Sequence, residues 1–399
     1  MPRPLYLLAV AVFAMGTSEF MLAGLLPAIA SDLDVTVGAA GLLTSAFAIG
    51  MVVGAPLMAG LARNWPGRSS LLGFVLVFLA AHLVGAATSS FLVLFVTRLV
   101  AALANAGFLA VALTVAARLV APGRRGRALA VLLSGTTAAT VAGVPGGAAL
   151  GAMLGWRATF WAVAVLCLPA AIGILRGIPA RPAQEDETGG PALRSELAQL
   201  RRPRLILVML LGALVNAATF GSFTFLAPVV TDTAGLGGLW VSVVLVIFGV
   251  GSFVGVTVAG RLSDQRPGLV VAAGGPLLLV GWLALAVLAG KPAALLVLVF
   301  VQGALSFALG STLIARVLYE AAGAPTMGGS YATAALNVGA AAGPVVAATT
   351  LNTALGNVGP FWGSGLLVAV ALLVALPFRG VIAAGGGNEA VRRRVRTPR

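Results

Sequence analysis

The chain has 399 residues, of which 60% are hydrophobic and only 9% charged, and its mean hydropathy is +1.06. A soluble domain carries about 25% charged residues, so this composition excludes an ordinary soluble protein and indicates a membrane protein. The formal net charge of +14 would suit a nucleic-acid partner only if the cations formed a patch.

Apolar runs of about 20 residues, the length that crosses a bilayer as a helix, recur along the whole chain. They predict an all-α integral membrane protein with twelve spans, numbered in chain order. The spans lie near 5–30, 38–62, 70–88, 91–118, 128–152, 158–177, 204–230, 240–262, 268–290, 292–318, 328–351 and 358–378.

The cations between these spans fall on one side of the predicted membrane. Apart from Arg98 inside span 4, the opposite side carries only Arg157 and Lys291. The positive-inside rule therefore predicts that both termini and the loop after span 6 are cytoplasmic. The charge excess reflects topology, and we expect no nucleic-acid partner.

The second half of the chain repeats the first at an offset of about 200 residues. Phe47, Gly50 and Gly54 of span 2 recur as Phe248 and two glycines in span 8, shifted by 201. Since each half has six spans, the halves are parallel repeats, an arrangement known from secondary transporters. We predict an N-terminal bundle (1–177), a cytoplasmic linker (178–203) and a C-terminal bundle with a basic tail (204–399).

Polar residues are concentrated in eight of the twelve spans. Spans 3, 6, 9 and 12 carry almost none beyond His82, Ser364 and tryptophans. Helices without polar groups can face lipid, whereas polar ones should line the interior. We therefore expect spans 3, 6, 9 and 12 to be peripheral, with His82 on a lipid-facing helix, and the other eight spans to surround a cavity.

Glu19 and Arg98 are the charged residues that lie deep within the spans. An ionised acid at bilayer depth costs several kcal/mol and usually faces a partner or a water-filled cavity. A carboxyl group there can bind and release a proton as its surroundings alternate between wet and dry. Glu19 is thus the candidate proton carrier, with a structural hydrogen-bond network as the alternative.

Several segments resemble the major facilitator superfamily over roughly 1–378, and within it the twelve-span drug:proton antiporters. AVFAMGTSEFMLAGLLPAIASDLDV, NAGFLAVALT, GVPGGAALGAMLGWRATFW and GAPTMGGSYATAALN look similar to the bacterial chloramphenicol exporters. The resemblance implies two six-helix pseudo-symmetric bundles that work by alternating access. It also implies that Arg98, which matches the arginine of the family's span 4 motif, takes part in proton coupling.

Other residues match motifs of the family that concern motion. GVPGG in span 5, with Gly143, Pro145 and Gly147, resembles the antiporter motif, and a glycine ridge with a proline bend favours a role in rocking. GLARNWPGR at 60–68 resembles the gating loop after span 2. The residues implied in gating are Gly60, Asn64 (where the family has aspartate), Gly67, Arg68, and in the second half Gly260, Asp264 and Arg266.

Candidate contacts for a cargo come from the interior spans, since mixed aromatic and amide walls suit a flat, partly polar ligand. The candidates are Asn105, Asn216, Phe220, Phe223, Gln302, Tyr331 and Asn337. For each of them, ordinary helix packing is the alternative.

The sequence as a whole predicts a monomeric proton-coupled antiporter that exports chloramphenicol or a similar amphipathic drug and confers antibiotic resistance. The partners are drug, protons and membrane lipid, and we expect no cofactor and no metal, the proton gradient being the energy source. Sugar or metabolite efflux on the same scaffold is the alternative. A membrane enzyme would need nucleophiles, bases or metal ligands clustered at one depth, which one His, one Cys and one deep acid do not supply.

Overall fold

The computed structural model describes residues 2–61, 65–120, 125–178, 193–263, 267–324 and 327–378. Within them, twelve helical segments are long and apolar enough to cross a membrane, which confirms the predicted spans. The helices of spans 1–6 are Arg3–Phe20 with Leu26–Asp32, Val37–Leu61, Gly67–Ala87, Phe91–Arg118, Arg125–Ala138 with Val144–Leu154, and Trp156–Gly177. Those of spans 7–12 are Pro203–Thr224 with Leu226–Pro228, Leu239–Ser263, Pro267–Leu288, Pro292–Glu320, Gly328–Leu351 and Gly359–Ala375.

Short helical segments connect or extend these helices. They are the 3₁₀ turns Met21–Gly24, Ala198–Arg201, Gly356–Val358 and Leu376–Phe378, the π-helical turns Ala139–Gly143 and Val229–Thr233, and the short α-helix Leu193–Leu197 of the linker, called the linker helix below.

Spans 1 and 5 change helix type near their middle. Span 1 passes from α-helix to 3₁₀-helix directly after Phe20. In span 5 the π-helical turn Ala139–Gly143 comes just before Pro145, which has no N–H for the regular ladder. Interruptions of this kind often mark functional hinges, and the two lie next to each other because Gly143 packs against Thr17.

The apolar interior forms two large clusters, one in each half. The first is built mainly by spans 1–6 and the second mainly by spans 7–12. A few residues belong to the cluster of the other half, such as Ala23 and Val144 in the second and Phe225 in the first. The fold is therefore two six-helix bundles packed side by side. The exact limits 1–177, 178–203 and 204–399 stay a prediction, since 179–192 and 379–399 lie outside the described residues.

The glycines that repeat between the halves lie at equivalent helix contacts. A methyl group on Gly50 of span 2 would meet Ala102 of span 4, and one on Gly251 of span 8 would meet the carbonyl oxygen of Phe300 in span 10. Small residues let helix backbones approach closely in membranes. The sequence repeat thus corresponds to a repeated packing arrangement.

The two bundles meet mainly along two helix pairs, spans 2 and 11 and spans 5 and 8. Between spans 2 and 11, the Ser45 hydroxyl donates to the carbonyl oxygen of Ala341 at 2.7 Å. Between spans 5 and 8, Gly249 lies against the backbone of Thr140. These contacts leave a central space between spans 1, 5, 7, 8 and 10.

Spans 3, 6, 9 and 12 have exposed apolar outer faces, but His82 does not lie on the outer face of span 3. His82 is only 1% exposed, on the inner face of span 3, and Trp282 and Ser364 are equally buried in spans 9 and 12. A peripheral helix still turns one face inward, and its few polar residues lie on that face.

Candidate functional site

Arg98 is held in the interior of the first bundle by span 1. Its guanidinium donates through Nη1 to the Ser18 hydroxyl and through Nη2 to the Ser18 carbonyl oxygen, both at 2.7 Å. Its Cζ lies 4.5 Å from the ring centroid of Phe47, a cation–π contact. Arg98 is 1% exposed and Ser18 is fully buried, so these contacts replace water around the charge.

His82 extends this arrangement into span 3. Its Nδ1 lies 2.8 Å from the carbonyl oxygen of Phe78, and its Nε2 lies 2.7 Å from the Ser18 hydroxyl oxygen. Since a carbonyl can only accept, Nδ1 carries the proton, and a neutral ring leaves Nε2 to accept from Ser18. The hydrogen bonds then run in one direction, from Arg98 through Ser18 and His82 to Phe78.

Glu19 follows Ser18 directly, yet it stands apart from this chain of hydrogen bonds. Among the described residues Glu19 makes no hydrogen bond and no ion pair within 4 Å, although Arg98 is near enough to act on its carboxyl group electrostatically. The side chain is partly exposed, unlike Ser18 and Arg98. An acid with free oxygens beside a fixed cation can take up and release a proton without breaking the packing around it.

Five phenylalanine rings line a cavity between the two bundles, and one of them, Phe20, comes directly after Glu19. In this conformation the cavity is small and almost wholly apolar. Thr140, Thr219 and Ser252 also line it, but their hydroxyls donate to carbonyl oxygens of their own helices. The rings are Phe20, Phe220, Phe223, Phe248 and Phe307.

The rings of this aromatic cavity touch one another in series. Phe20 lies 5.7 Å from Phe220, Phe220 lies 6.3 Å from Phe223, and Phe223 lies 4.8 Å from Phe248, centroid to centroid. Phe248 in turn lies 6.1 Å from Phe307. Tilted and edge-on pairs at these distances give a wall that suits a flat, mainly apolar molecule.

The structure brings two of the predicted cargo contacts, Phe220 and Phe223, to this cavity. The three predicted asparagines bond elsewhere through Nδ2: Asn105 to the Met51 sulfur at 3.7 Å, Asn216 to the Leu336 carbonyl oxygen at 2.7 Å, and Asn337 to the Thr333 carbonyl oxygen at 3.0 Å.

Tyr331 and Gln302 also lie away from the aromatic cavity. The Tyr331 hydroxyl donates at 2.9 Å to the carbonyl oxygen of Glu196 in the linker helix. The Glu196 carboxylate in turn accepts from the Met327 N–H at the start of span 11, at 2.8 Å. Tyr331 therefore fastens the linker to the second bundle. Gln302 lies in a smaller neighbouring cavity lined by Ser222, Phe223, Leu226, Phe248, Trp282, Leu285, Val299, Gln302 and Phe361.

The motif glycines of span 5 pack within the first bundle. Gly143 lies against Thr17, and Gly147 against Thr159, whose hydroxyl donates to the Gly147 carbonyl oxygen at 2.8 Å. Span 5 instead approaches span 8 at Thr140 and Val141, whose backbone lies against Gly249, and Thr140 and Val144 line the aromatic cavity.

The loop motifs are only partly described. Gly60 lies in the last turn of span 2, and Gly67 and Arg68 begin span 3. Gly67 lies against Val115 of span 4. Gly260 falls in the last turns of span 8. Asn64, Asp264 and Arg266 lie outside the described residues.

Sequence reasoning missed His82 in the Arg98 arrangement and Phe20, Phe248 and Phe307 in the cavity. The repeat that pairs Phe47 with Phe248 marks both rings, but not what they face. Within the described part of the chain, no three His, Cys, Asp or Glu side chains come together in a way that could hold a metal ion.

Residues 8–334 match the Major Facilitator Superfamily. The chain belongs to the major facilitator superfamily. It is 76% identical over 392 residues to a "Chloramphenicol resistance protein" from Streptomyces lividans, covering 98% of this chain and all of the relative. It is 32% identical over 353 residues to the Escherichia coli K12 "Inner membrane transport protein YdhP", covering 88% of this chain and 90% of the relative.

A solved bacterial homologue of the human lysosomal transporter Spinster, described as inward-facing and unoccupied, has the same fold. The TM-score is 0.75 at 16% identity, with 95% of both chains covered. These matches are to transporters and not to enzymes, so the protein is a multi-pass membrane protein of a transporter superfamily.

Proposed function

We propose that this protein exports chloramphenicol or similar small amphipathic drugs in exchange for protons and thereby confers antibiotic resistance. The observation that carries the proposal is the run Ser18, Glu19 and Phe20 in span 1. Ser18 binds the buried Arg98, Glu19 offers a free carboxyl group, and Phe20 lines the aromatic cavity. One turn of helix thus joins a proton site to a drug site.

The cavity supports an amphipathic cargo over a sugar. Its wall is mainly phenylalanine, and the hydroxyls of Thr140, Thr219 and Ser252 already donate to their own helices, whereas a sugar needs many hydrogen-bonding groups to replace its bound water. Chloramphenicol, an aromatic ring with a short polar tail, fits this chemistry. The relative from Streptomyces lividans, 76% identical, is named for resistance to that drug.

Drug export is coupled to proton entry because the proton and the cargo compete for overlapping sites near Glu19. When Glu19 is ionised, its charge beside the buried Arg98 is compensated; when it is protonated, Arg98 is left with only the neutral Ser18 and the Phe47 ring. A proton on Glu19 therefore changes the charge balance next to Phe20. For exchange, proton and drug must bind the two conformations with different affinity.

Alternating access would use the interruptions in spans 1 and 5. The α-to-3₁₀ change after Phe20 and the π-helical turn Ala139–Gly143 both border the aromatic cavity. When one bundle moves against the other, spans 1 and 5 can bend at these turns, where the regular α-helical hydrogen bonds are already interrupted. Gly143, Pro145 and Gly147 would act in this motion, and Gly60, Gly67, Arg68, Gly260, Asp264 and Arg266 in gating.

The placement in the cell follows from charge. The excess of cations on one side supports a bacterial inner membrane with both termini cytoplasmic, and two complete bundles support a monomer. Arg157 is one of the two cations on the side of the membrane opposite the cation excess, and it forms an ion pair with Asp32. There Asp32 also accepts from the Trp156 ring N–H, and Arg157 donates to the Thr88 carbonyl oxygen, so this cation ties spans 1, 3 and 6 together.

The test is labelled chloramphenicol accumulation in bacteria that lack their own drug exporters. Cells with the protein should hold several-fold less drug than cells with an empty vector, and a protonophore should abolish the difference. Protection against a toxic sugar analogue, with unchanged chloramphenicol accumulation, would instead favour sugar or metabolite efflux.

A further inference from the structure

The second bundle contains a counterpart of the site around His82. Trp282 in span 9 stands 200 residues after His82, and Phe361 in span 12 stands 201 after Phe160. The ring centroids of His82 and Phe160 are 5.7 Å apart, and those of Trp282 and Phe361 are 6.0 Å apart. The repeat therefore places equivalent aromatic pairs at equivalent positions of the two bundles.

The polar side chains of the first site are linked by hydrogen bonds through Ser18, whereas two polar groups of the second site have no partner in the part of the chain that the structure describes. In the first bundle, Ser18 bridges Arg98 and His82. In the second, Gln302 of span 10 donates through Nε2 to the Leu278 carbonyl oxygen at 3.1 Å. Its Oε1 has no hydrogen-bond partner among the described residues, and neither does the ring N–H of Trp282.

The two residues that carry these unpaired groups are deeply buried and line the same cavity. Trp282 is 2% exposed and Gln302 is 0% exposed. In this conformation the cavity has room for only about one water-sized group, and the residues that line it carry no charge. A buried polar group without a partner costs about 1–3 kcal/mol, so a donor and an acceptor left open in one cavity point to an occupant that supplies both.

The cavity adjoins the aromatic cavity described above. Phe223 and Phe248 line both spaces, so their two rings separate the smaller cavity from the larger one. These rings are 4.8 Å apart, centroid to centroid, so a cargo seated among the phenylalanines reaches the smaller cavity with a short substituent only when they turn aside.

We propose that the cavity between Trp282 and Gln302 is a subsite for a neutral hydroxyl group of the exported drug. A hydroxyl oxygen accepts from the Trp282 Nε1–H while its proton is donated to Gln302 Oε1. The uncharged lining disfavours an ammonium or carboxylate group, whose burial would be uncompensated. The subsite rests on the proposed function, and it makes that function selective for cargo with an aliphatic hydroxyl group.

The test compares chloramphenicol, which has two aliphatic hydroxyl groups, with two analogues in which one hydroxyl at a time is replaced by hydrogen. Affinity is measured by equilibrium binding to the purified full-length protein and by KM in proteoliposomes. One of the two analogues should bind the wild type about three- to tenfold more weakly than the parent, the range of one hydrogen bond. Gln302→Met and Trp282→Phe should each weaken parent binding and reduce that ratio towards one.

Ser311→Ala, on the same helix as Gln302, is the matched control. Its hydroxyl only donates to the Ala308 carbonyl oxygen at 3.1 Å, so the preference for the parent drug should persist. Equal affinity of parent and both analogues for the wild type would overturn the subsite, and so would an unchanged preference in both cavity variants. In either case wild-type transport of chloramphenicol would leave the proposed function standing. Absence of chloramphenicol binding and transport by the wild type would refute the proposed function itself.

Discussion

Replacement of Ser18 by alanine should destabilise the protein strongly for so small a change. The Ser18 hydroxyl oxygen lies 2.7 Å from Arg98 Nη1 and 2.7 Å from His82 Nε2, and all three residues are at most 1% exposed. A hydrogen bond to a charged group contributes about 1.5–3 kcal/mol and a neutral one about 0.5–1.5 kcal/mol. Since the Ser18 carbonyl oxygen still accepts from Nη2, we expect Ser18→Ala to lower the free energy of unfolding by about 2–4 kcal/mol.

The assay is equilibrium unfolding in mixed micelles by titration with sodium dodecyl sulfate, followed by tryptophan fluorescence. Ser134→Ala is the matched control, because the Ser134 hydroxyl is exposed and bonds only to the Val131 carbonyl oxygen of its own helix. That variant should stay within about 0.5 kcal/mol of the wild type. Equal free energies of unfolding for the two variants would refute the idea that Ser18 joins a buried network.

Three further substitutions test other parts of the structure. Arg98→Lys loses the planar fork that binds both oxygens of Ser18, so transport driven by a pH gradient should fall about tenfold or more while the protein still folds; undiminished driven transport would argue against coupling at this site. Phe223→Ala removes a ring shared by both cavities and should raise the KM for chloramphenicol about tenfold, whereas an unchanged KM would place the cargo elsewhere. Gly251→Ala forces a methyl group onto a carbonyl oxygen of span 10 and should cost about 1–3 kcal/mol in the same unfolding assay, whereas Gly310→Ala, with open space beside it, should cost far less; equal losses would contradict the close helix approach.

Hydropathy was sufficient to predict the spans, because a bilayer restricts helix length, and the internal repeat predicted the two bundles. The offset of 201 residues correctly identified equivalent glycines, since close helix packing depends on the same small residues in both halves. Interruptions within helices were harder to predict from the sequence. Pro145 indicated the one in span 5, but the change after Phe20 has no proline or glycine at that point.

The candidate site was only partly predictable, because residue type does not determine which neighbour a side chain faces. The composition of span 3 predicted a lipid-facing helix but not which face of it carries His82; Val75, Phe78 and His82 share helical spacing and are all buried. The amides of Asn216 and Gln302 satisfy backbone carbonyl groups of neighbouring helices, a use that sequence alone cannot tell from cargo binding. The aromatic cavity draws on spans far apart in the chain, so only the fold brings its rings together.

In the proposed mechanism, Glu19 carries the proton that drives drug export. It is tested most directly by labelled chloramphenicol transport in proteoliposomes under an imposed pH gradient, with wild type, Glu19→Gln and the control Glu320→Gln, an acid already paired with Arg316 at 3.1 Å. We expect the gradient to accelerate transport by the wild type and by Glu320→Gln but not by Glu19→Gln, which should retain drug exchange in the absence of a gradient. Gradient-driven transport by Glu19→Gln at the wild-type rate would refute a proton-carrying role for Glu19.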